Sequence, residues 1–178
     1  MRAPKAGDTV SRWTTRAERA GDADAIRDVV VAAFPTPDEA RIVDELRADR
    51  AAWIDELSIV ATDTDGTIVG YALYSRCRVD AEPALTLGPC AVLPSQQRTG
   101  AGSAAIVAGL DAARDLGENL VLVLGHADYY PRFGFVPASR FGIRAPFDVP
   151  DEAMMALPLD DARPVPSGTI AYPAAFGV

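Results

Sequence analysis

The sequence predicts an α/β (α+β) domain in which a parallel βαβ unit is joined to antiparallel strands. Three observations carry this. A strand-like run at 84–93 leads through Gln97-Arg98-Thr99-Gly100-Ala101-Gly102-Ser103 into an Ala-rich helical stretch. Asn119-Leu120-Val121-Leu122-Val123-Leu124-Gly125 is then continuously apolar, as expected of a strand buried on both faces and usually parallel to its neighbour. Earlier in the chain, two β-rich runs flank Asp63-Thr64-Asp65-Gly66, a good hairpin turn.

Taken in order, residues 1–12 are Gly-, Pro- and Lys-containing and are expected to be mobile. A first strand starts at Trp13 and runs to Ala17. Gly21-Asp22-Ala23-Asp24 supplies helix-start residues, and Ile26, Val29, Val30 and Ala33 form a helical stripe. Phe34-Pro35-Thr36-Pro37 breaks that helix. A second helix is expected from Asp38 to Arg50, with Ile42, Val43 and Leu46 inward. The hairpin strands cover 57–62 and 67–75.

The next strand contains Gly88-Pro89. Proline cannot donate to a sheet ladder, so the strand must bulge or lie at an edge there. Past the glycine loop, Ile106, Leu110 and Ala113 recur at helical spacing, and Gly117 is a natural stop. Phe141–Arg144 and Ala153–Leu157 read as closing strands. One domain is expected over 13–160, with a Pro-rich tail at 161–178 packed on it.

The glycine loop is the strongest pointer to a ligand. Gly100 and Gly102 let backbone approach an anion closely. The first turn of the helix that follows has N–H groups without intrahelical partners, backed by the helix dipole. No Gly-Lys-Ser/Thr follows, and position 105 is Ala rather than the third glycine of a dinucleotide fingerprint. Those absences argue against nucleoside triphosphates and NAD.

Composition excludes other classes. A net charge of −8 makes general nucleic-acid binding and anionic membrane surfaces poor fits. No apolar run is long enough to cross a bilayer and no signal-peptide pattern is present, so a cytoplasmic location is expected. One His and two Cys make a metal site an unpromising reading, and none is assigned. Cys77 and Cys90 read as small buried hydrophobes in strands, able to form a disulfide if those strands pair.

Two motifs then resemble the GNAT superfamily of N-acetyltransferases, most closely a bacterial branch of it. They are Val92-x-Pro94-x-x-Gln97-x-x-Gly100-x-Gly102, preceded by Leu87-Gly88-Pro89, and Tyr129-Tyr130-x-Arg132-Phe133-Gly134-Phe135. The resemblance runs from about Trp13 to Leu159. It implies a mixed, mostly antiparallel central sheet with flanking helices and a parallel unit that binds acetyl-CoA. Pantetheine would pair with backbone at Ala91, Val92 and Leu93. The pyrophosphate would lie on the N–H groups of Arg98, Thr99, Gly100, Ala101, Gly102 and Ser103, beside Gln97, with Arg98 adding charge.

Acetyl transfer to an amine needs a proton acceptor, a donor to the tetrahedral oxyanion and a proton or hydrogen bond for the departing thiolate. By motif position Tyr130 is the acid, and a backbone N–H at Val92 serves the oxyanion. The alternative for Tyr130 is a core aromatic. His126, at the end of the buried strand, and Glu39, near the start of the second helix, are candidate proton acceptors. Their alternatives are a loop histidine bonded to backbone and an ordinary acidic first turn. Asp128 is a candidate cap for the turn at Tyr129.

One departure stands out. Many relatives place an Asn early in a longer segment before the tyrosine. Gly125-His126-Ala127-Asp128 is short and has none, so the pantetheine contact usual there is not expected. Neither cysteine is placed by motif as a nucleophile, so direct transfer from acetyl-CoA to an amine of a small molecule or peptide is the reading. A non-catalytic acyl-CoA-binding or sensor module is the alternative, and transfer of a larger acyl group is a third reading. The acceptor and homodimer formation are open at this point.

Overall fold

The computed structural model describes residues 12–178. The expectation for residues 1–11 falls outside them. Nine strands, three α-helices and several 3₁₀ turns follow one another along the chain. The strands are β1 (Thr14–Ala17), β2 (Ser58–Thr62), β3 (Ile68–Val79), β4 (Glu82–Val92), β5 (Leu120–Leu124), β6 (Val136–Pro137), β7 (Ile143–Arg144), β8 (Met154–Pro158) and β9 (Gly168–Ala171). The helices are α1 (Ala23–Ala33), α2 (Asp38–Ala48) and α3 (Ala101–Asp115).

The main path through the sheet is β1-β2-β3-β4-β5-β8-β6. All its neighbours are antiparallel except β4 and β5, which run parallel through Leu85↔Val121, Thr86↔Leu122 and Leu87↔Val123. The sheet is therefore mixed and mostly antiparallel, with one parallel unit crossing over through α3.

Alternation along the strands divides the core between the two faces. Ile59, Ala61, Ala72 and Tyr74 pack with Ala105, Ile106, Leu110 and Ala113 of α3. Val60, Tyr71 and Leu73 point the other way, onto Ile26, Val29 and Val30 of α1 and Ala40, Val43 and Leu46 of α2. Gly109 lets α3 approach this closely, because a Cβ there would fall 2.1 Å from the Tyr74 ring. α3 ends as expected at Gly117 (φ +78°), where Gly117 N–H donates to Arg114 O and Glu118 N–H to Ala113 O in a Schellman closure.

α2 is tied to the sheet by a polar chain. Arg47 pairs with Glu18 at 2.8 Å, Ser58 Oγ donates to Glu18 at 2.5 Å, and the Tyr71 and Ser58 hydroxyls are 2.7 Å apart. Arg27 also pairs with Asp44, joining α1 to α2.

Several local expectations need revision. α2 ends at Ala48, short of Arg50. Asp22 does not cap α1 with its side chain; it accepts bonds from Arg16 and the Arg19 N–H. Only Ile143–Arg144 of the 141–144 segment is strand, because Ala138–Phe141 turns as 3₁₀ and Gly142 is left-handed. Cys77 and Cys90 are free thiols; they lie opposite Ala84 and Ala72 in the β3–β4 ladder.

The tail does more than cover the domain. β9 pairs with the end of β3 (Arg78↔Ala171, Val79↔Ile170) and with β7. Asp80 clamps it there: Thr169 N–H donates to Asp80 Oδ1 at 2.8 Å and Asp80 N–H to Thr169 O at 2.9 Å. The chain then reaches α2, where Ala175 and Phe176 join the helical core.

Candidate active site

The cleft begins where β4 parts from β5. Their pairing stops at Leu87↔Val123. Gly88 and Pro89 follow, joined by a cis peptide, and the β3–β4 register slips opposite them between Ala72 and Tyr74. That is the bulge expected from Pro89. Beyond it β4 continues against β3 alone. Leu93 N–H donates to Val69 O at 2.9 Å, so strand alternation turns the N–H and C=O of Val92 away from β3, into the gap. The Val92 carbonyl receives Gln97 Nε2 at 3.3 Å.

At one end of the gap lies the glycine loop. Arg98 (φ +62°) and Gly100 (φ +93°) are both left-handed, which folds the loop back over the start of α3. Thr99 Oγ1 donates to Gln96 O, and Trp13 Nε1 donates to Thr99 O at 3.1 Å, anchoring the loop from both sides. The first i→i−4 bond of α3 is Ala104 N–H to Gly100 O, so the N–H groups of Ala101, Gly102 and Ser103 lie ahead of the helical ladder. Gly102 packs against β4: a Cβ there would sit 3.0 Å from Val92 Cγ2.

Val92, Gln97, Arg98, Gly100, Gly102 and Ser103 line a cavity of about 480 Å³, closed by Tyr129 and Arg132. The sequence motif contains Tyr129 and Arg132 without marking a role for either. The Ser103 and Tyr129 hydroxyls are 2.9 Å apart. Arg132 donates to Tyr129 O at 2.8 Å and lays its guanidinium over the Tyr129 ring, 4.3 Å from the centroid. An i,i+3 pair across a 3₁₀ turn was the signal available for this contact.

At the other end, a second cavity of about 380 Å³ brings Glu39 together with His126 and Tyr130, which lie about ninety positions further along the chain. Cys90 lines it as well. The Tyr130 ring lies on the backbone of Gly125, where a Cβ would be 2.3 Å from it, and edge-on to Phe135 and Tyr129. Its side chain shares that cavity wall with the Cys90 thiol. Burial, and next the Cys90 sulfur, push the Tyr130 phenol above its ordinary range. Burial likewise pushes the Cys90 thiol up to about 12, so it stays protonated at neutral pH.

Glu39 is in the first turn of α2, but its carboxylate caps nothing. Its Oε2 is shielded from solvent and has no hydrogen-bond partner. His126 is exposed at the rim, and its backbone carbonyl receives Tyr129 N–H at 3.1 Å and Tyr130 N–H at 3.4 Å. That backbone bond opens the turn carrying Tyr130; Asp128 does not cap it. The remaining walls are Phe34, Ile42, Leu124 and Phe176, with Leu87 and the Gly88-Pro89 bulge beneath. Phe34 and Phe176 were not identified from sequence.

The chain is similar to known proteins in sequence and in fold. Residues 23–135 match the model of the acetyltransferase (GNAT) family. The chain is 38% identical over 149 residues to an uncharacterised N-acetyltransferase, YjhQ of Escherichia coli K12, covering 81% of both chains. The crystal structure of YhbS, a GNAT family N-acetyltransferase from Escherichia coli in complex with CoA, superposes with a TM-score of 0.86 at 28% identity, over 97% of this chain and 96% of that one. A GNAT family acetyltransferase from Brucella melitensis in complex with acetyl-CoA gives a TM-score of 0.75 at 33% identity, covering 93% and 99%.

Proposed function

This chain belongs to the GNAT family of acetyltransferases, and on that premise we propose that it transfers acetyl directly from acetyl-CoA to a primary amine. The observation that carries the reading is the gap between β4 and β5, with the glycine loop at one end and Tyr130 at the other. The residues fit the cofactor. The loop N–H groups and the cations Arg98 and Arg132 suit a pyrophosphate. The free edge of β4 at Val92 suits pantetheine as an added strand.

The chemistry follows from the groups around the second cavity. The amine arrives as an ammonium and yields a proton to the Glu39 carboxylate, which His126 at the rim passes to solvent. The neutral amine attacks the thioester carbonyl, and the oxyanion takes a hydrogen bond from Val92 N–H. Collapse breaks the C–S bond. The Tyr130 hydroxyl donates to the leaving sulfur, and the proton still on the new amide nitrogen restores the phenol. A phenol held above its usual pKa remains protonated throughout the neutral range, as a donor must. Cys90 is not a nucleophile in this scheme, because a thiol raised to about 12 carries almost no thiolate near neutral pH.

The test is calorimetric titration with acetyl-CoA and with CoA, followed by thiol release in the presence of amines. Micromolar binding of both and amine-dependent release are expected. A folded protein that binds neither would remove the cofactor assignment.

A further inference from the structure

The acceptor cavity has an unusual balance of groups. Among its lining residues Glu39 is the single charged side chain, and no Lys or Arg is present. Tyr130 and Cys90 are its uncharged OH and SH groups. Phe34, Ile42, Leu124, Pro89 and Phe176 supply apolar wall. Within this hydrocarbon surface Glu39 Oε2 is shielded from water and takes no hydrogen bond from any described residue.

A carboxylate set among apolar walls, with no Lys or Arg lining the same cavity, favours a cation as its partner. The same cavity has few side chains to satisfy hydroxyls, amides or a second charge. A sugar, peptide or polyamine placed in it would strand polar groups against Phe34, Ile42 and Phe176. At about 380 Å³ it is also near the small end of ligand cavities, which run from about 300 to 1,000 Å³.

We infer that the acceptor is a small apolar monoamine, with its ammonium on Glu39 and an alkyl or aryl group on Phe34, Ile42 and Phe176. This rests on the transferase reading and goes beyond it by naming the class of amine. Phe176 becomes a specificity residue, held against α2 by the end of the chain rather than by the acetyl-CoA half. An acceptor with a bulky polar body is refused by desolvation, and one bearing a carboxylate is also repelled by Glu39.

The probes are 2-phenylethylamine, methylamine, spermidine and a lysine-containing hexapeptide. Each is titrated into CoA-loaded protein and assayed for acetyl-CoA turnover. For 2-phenylethylamine we expect kcat/KM at least about tenfold above that of the other three, since each methylene in an apolar pocket contributes roughly a factor of ten or more. Glu39→Gln should weaken its binding roughly ten- to a hundredfold, the usual size of a charge-assisted contact. Phe176→Ala should raise KM for 2-phenylethylamine by a larger factor than KM for methylamine. Preference for spermidine or the peptide would overturn the inference while leaving acetyl transfer intact. If 2-phenylethylamine binds through Glu39 and Phe176 yet no amine is acetylated, the transferase reading fails and the pocket assignment stands. Failure to bind or react, with CoA bound, would overturn the inference.

Discussion

The two cavities flanking the β4–β5 gap are built in opposite ways. The loop cavity is drawn mainly from residues 92–103, and much of its chemistry is backbone: left-handed Arg98 and Gly100, N–H groups ahead of the α3 ladder, and Gly102 pressed on Val92. The second cavity takes Phe34 from the link after α1, Glu39 and Ile42 from α2, Cys90 from the bulge, His126 and Tyr130 from after β5, and Phe176 from the tail. A site made of contiguous backbone accepts one ligand type and tolerates change around it. A site of dispersed side chains changes its ligand when one wall residue changes.

The comparison breaks most sharply at Tyr130. Tyr130→Phe should lower kcat by about a hundredfold or more, the range of general acid catalysis, with CoA affinity unchanged by calorimetry. Equal loss of CoA binding would mean that the hydroxyl holds the cofactor rather than protonating the leaving thiolate. The reciprocal change is Gly100→Ala. A Cβ there meets only Trp13 Nε1 at 3.8 Å, so the penalty is the left-handed backbone, of roughly 1–2 kcal/mol. About a tenfold rise in KM for acetyl-CoA is expected, with KM for the amine untouched. Arg132→Ala should act on the same side but less, by about threefold in CoA affinity, and should flatten its salt dependence, because this cation is exposed.

A separate effect is on stability at high pH. Burial raises both Cys77 and Cys90 from 9.0 to about 12. The folded protein thus holds these protons more tightly than the unfolded chain. Their contribution is complete below the unfolded pKa near 9 and is lost as pH rises toward 12. Denaturation midpoints should fall between about pH 9 and 11, and Cys90→Ala should flatten that slope. An unchanged slope in both alanine variants would remove the thiols as its source.

The same contrast governs what the sequence reveals. Gly100-x-Gly102, Pro89 and the apolar run into Leu124 are local signals, and each placed its element. The Tyr130 motif and the loop were legible because short spacings encode them. Phe34 and Phe176 were not, because only the fold brings residues 142 positions apart into one wall. β9 escaped for a related reason. Four residues between prolines carry little strand signal, and their partners in β3 lie just over ninety positions upstream, with Asp80 holding the pairing. The β3–β4 turn was equally silent, since Asp80 takes its left-handed φ of +49° without a glycine to mark it.

The early parting of β4 from β5 has a consequence for amide exchange with solvent. Neighbouring amides on β4 should behave as opposites in the free protein. Leu93 N–H is locked on Val69 O and exchanges slowly, while Val92 N–H faces the open gap and exchanges fast. A pantetheine arm lying in that gap would complete the ladder, so cofactor should slow Val92 and leave Leu93 as it was. In the proposed reading, the cofactor is the strand added to the β4 edge.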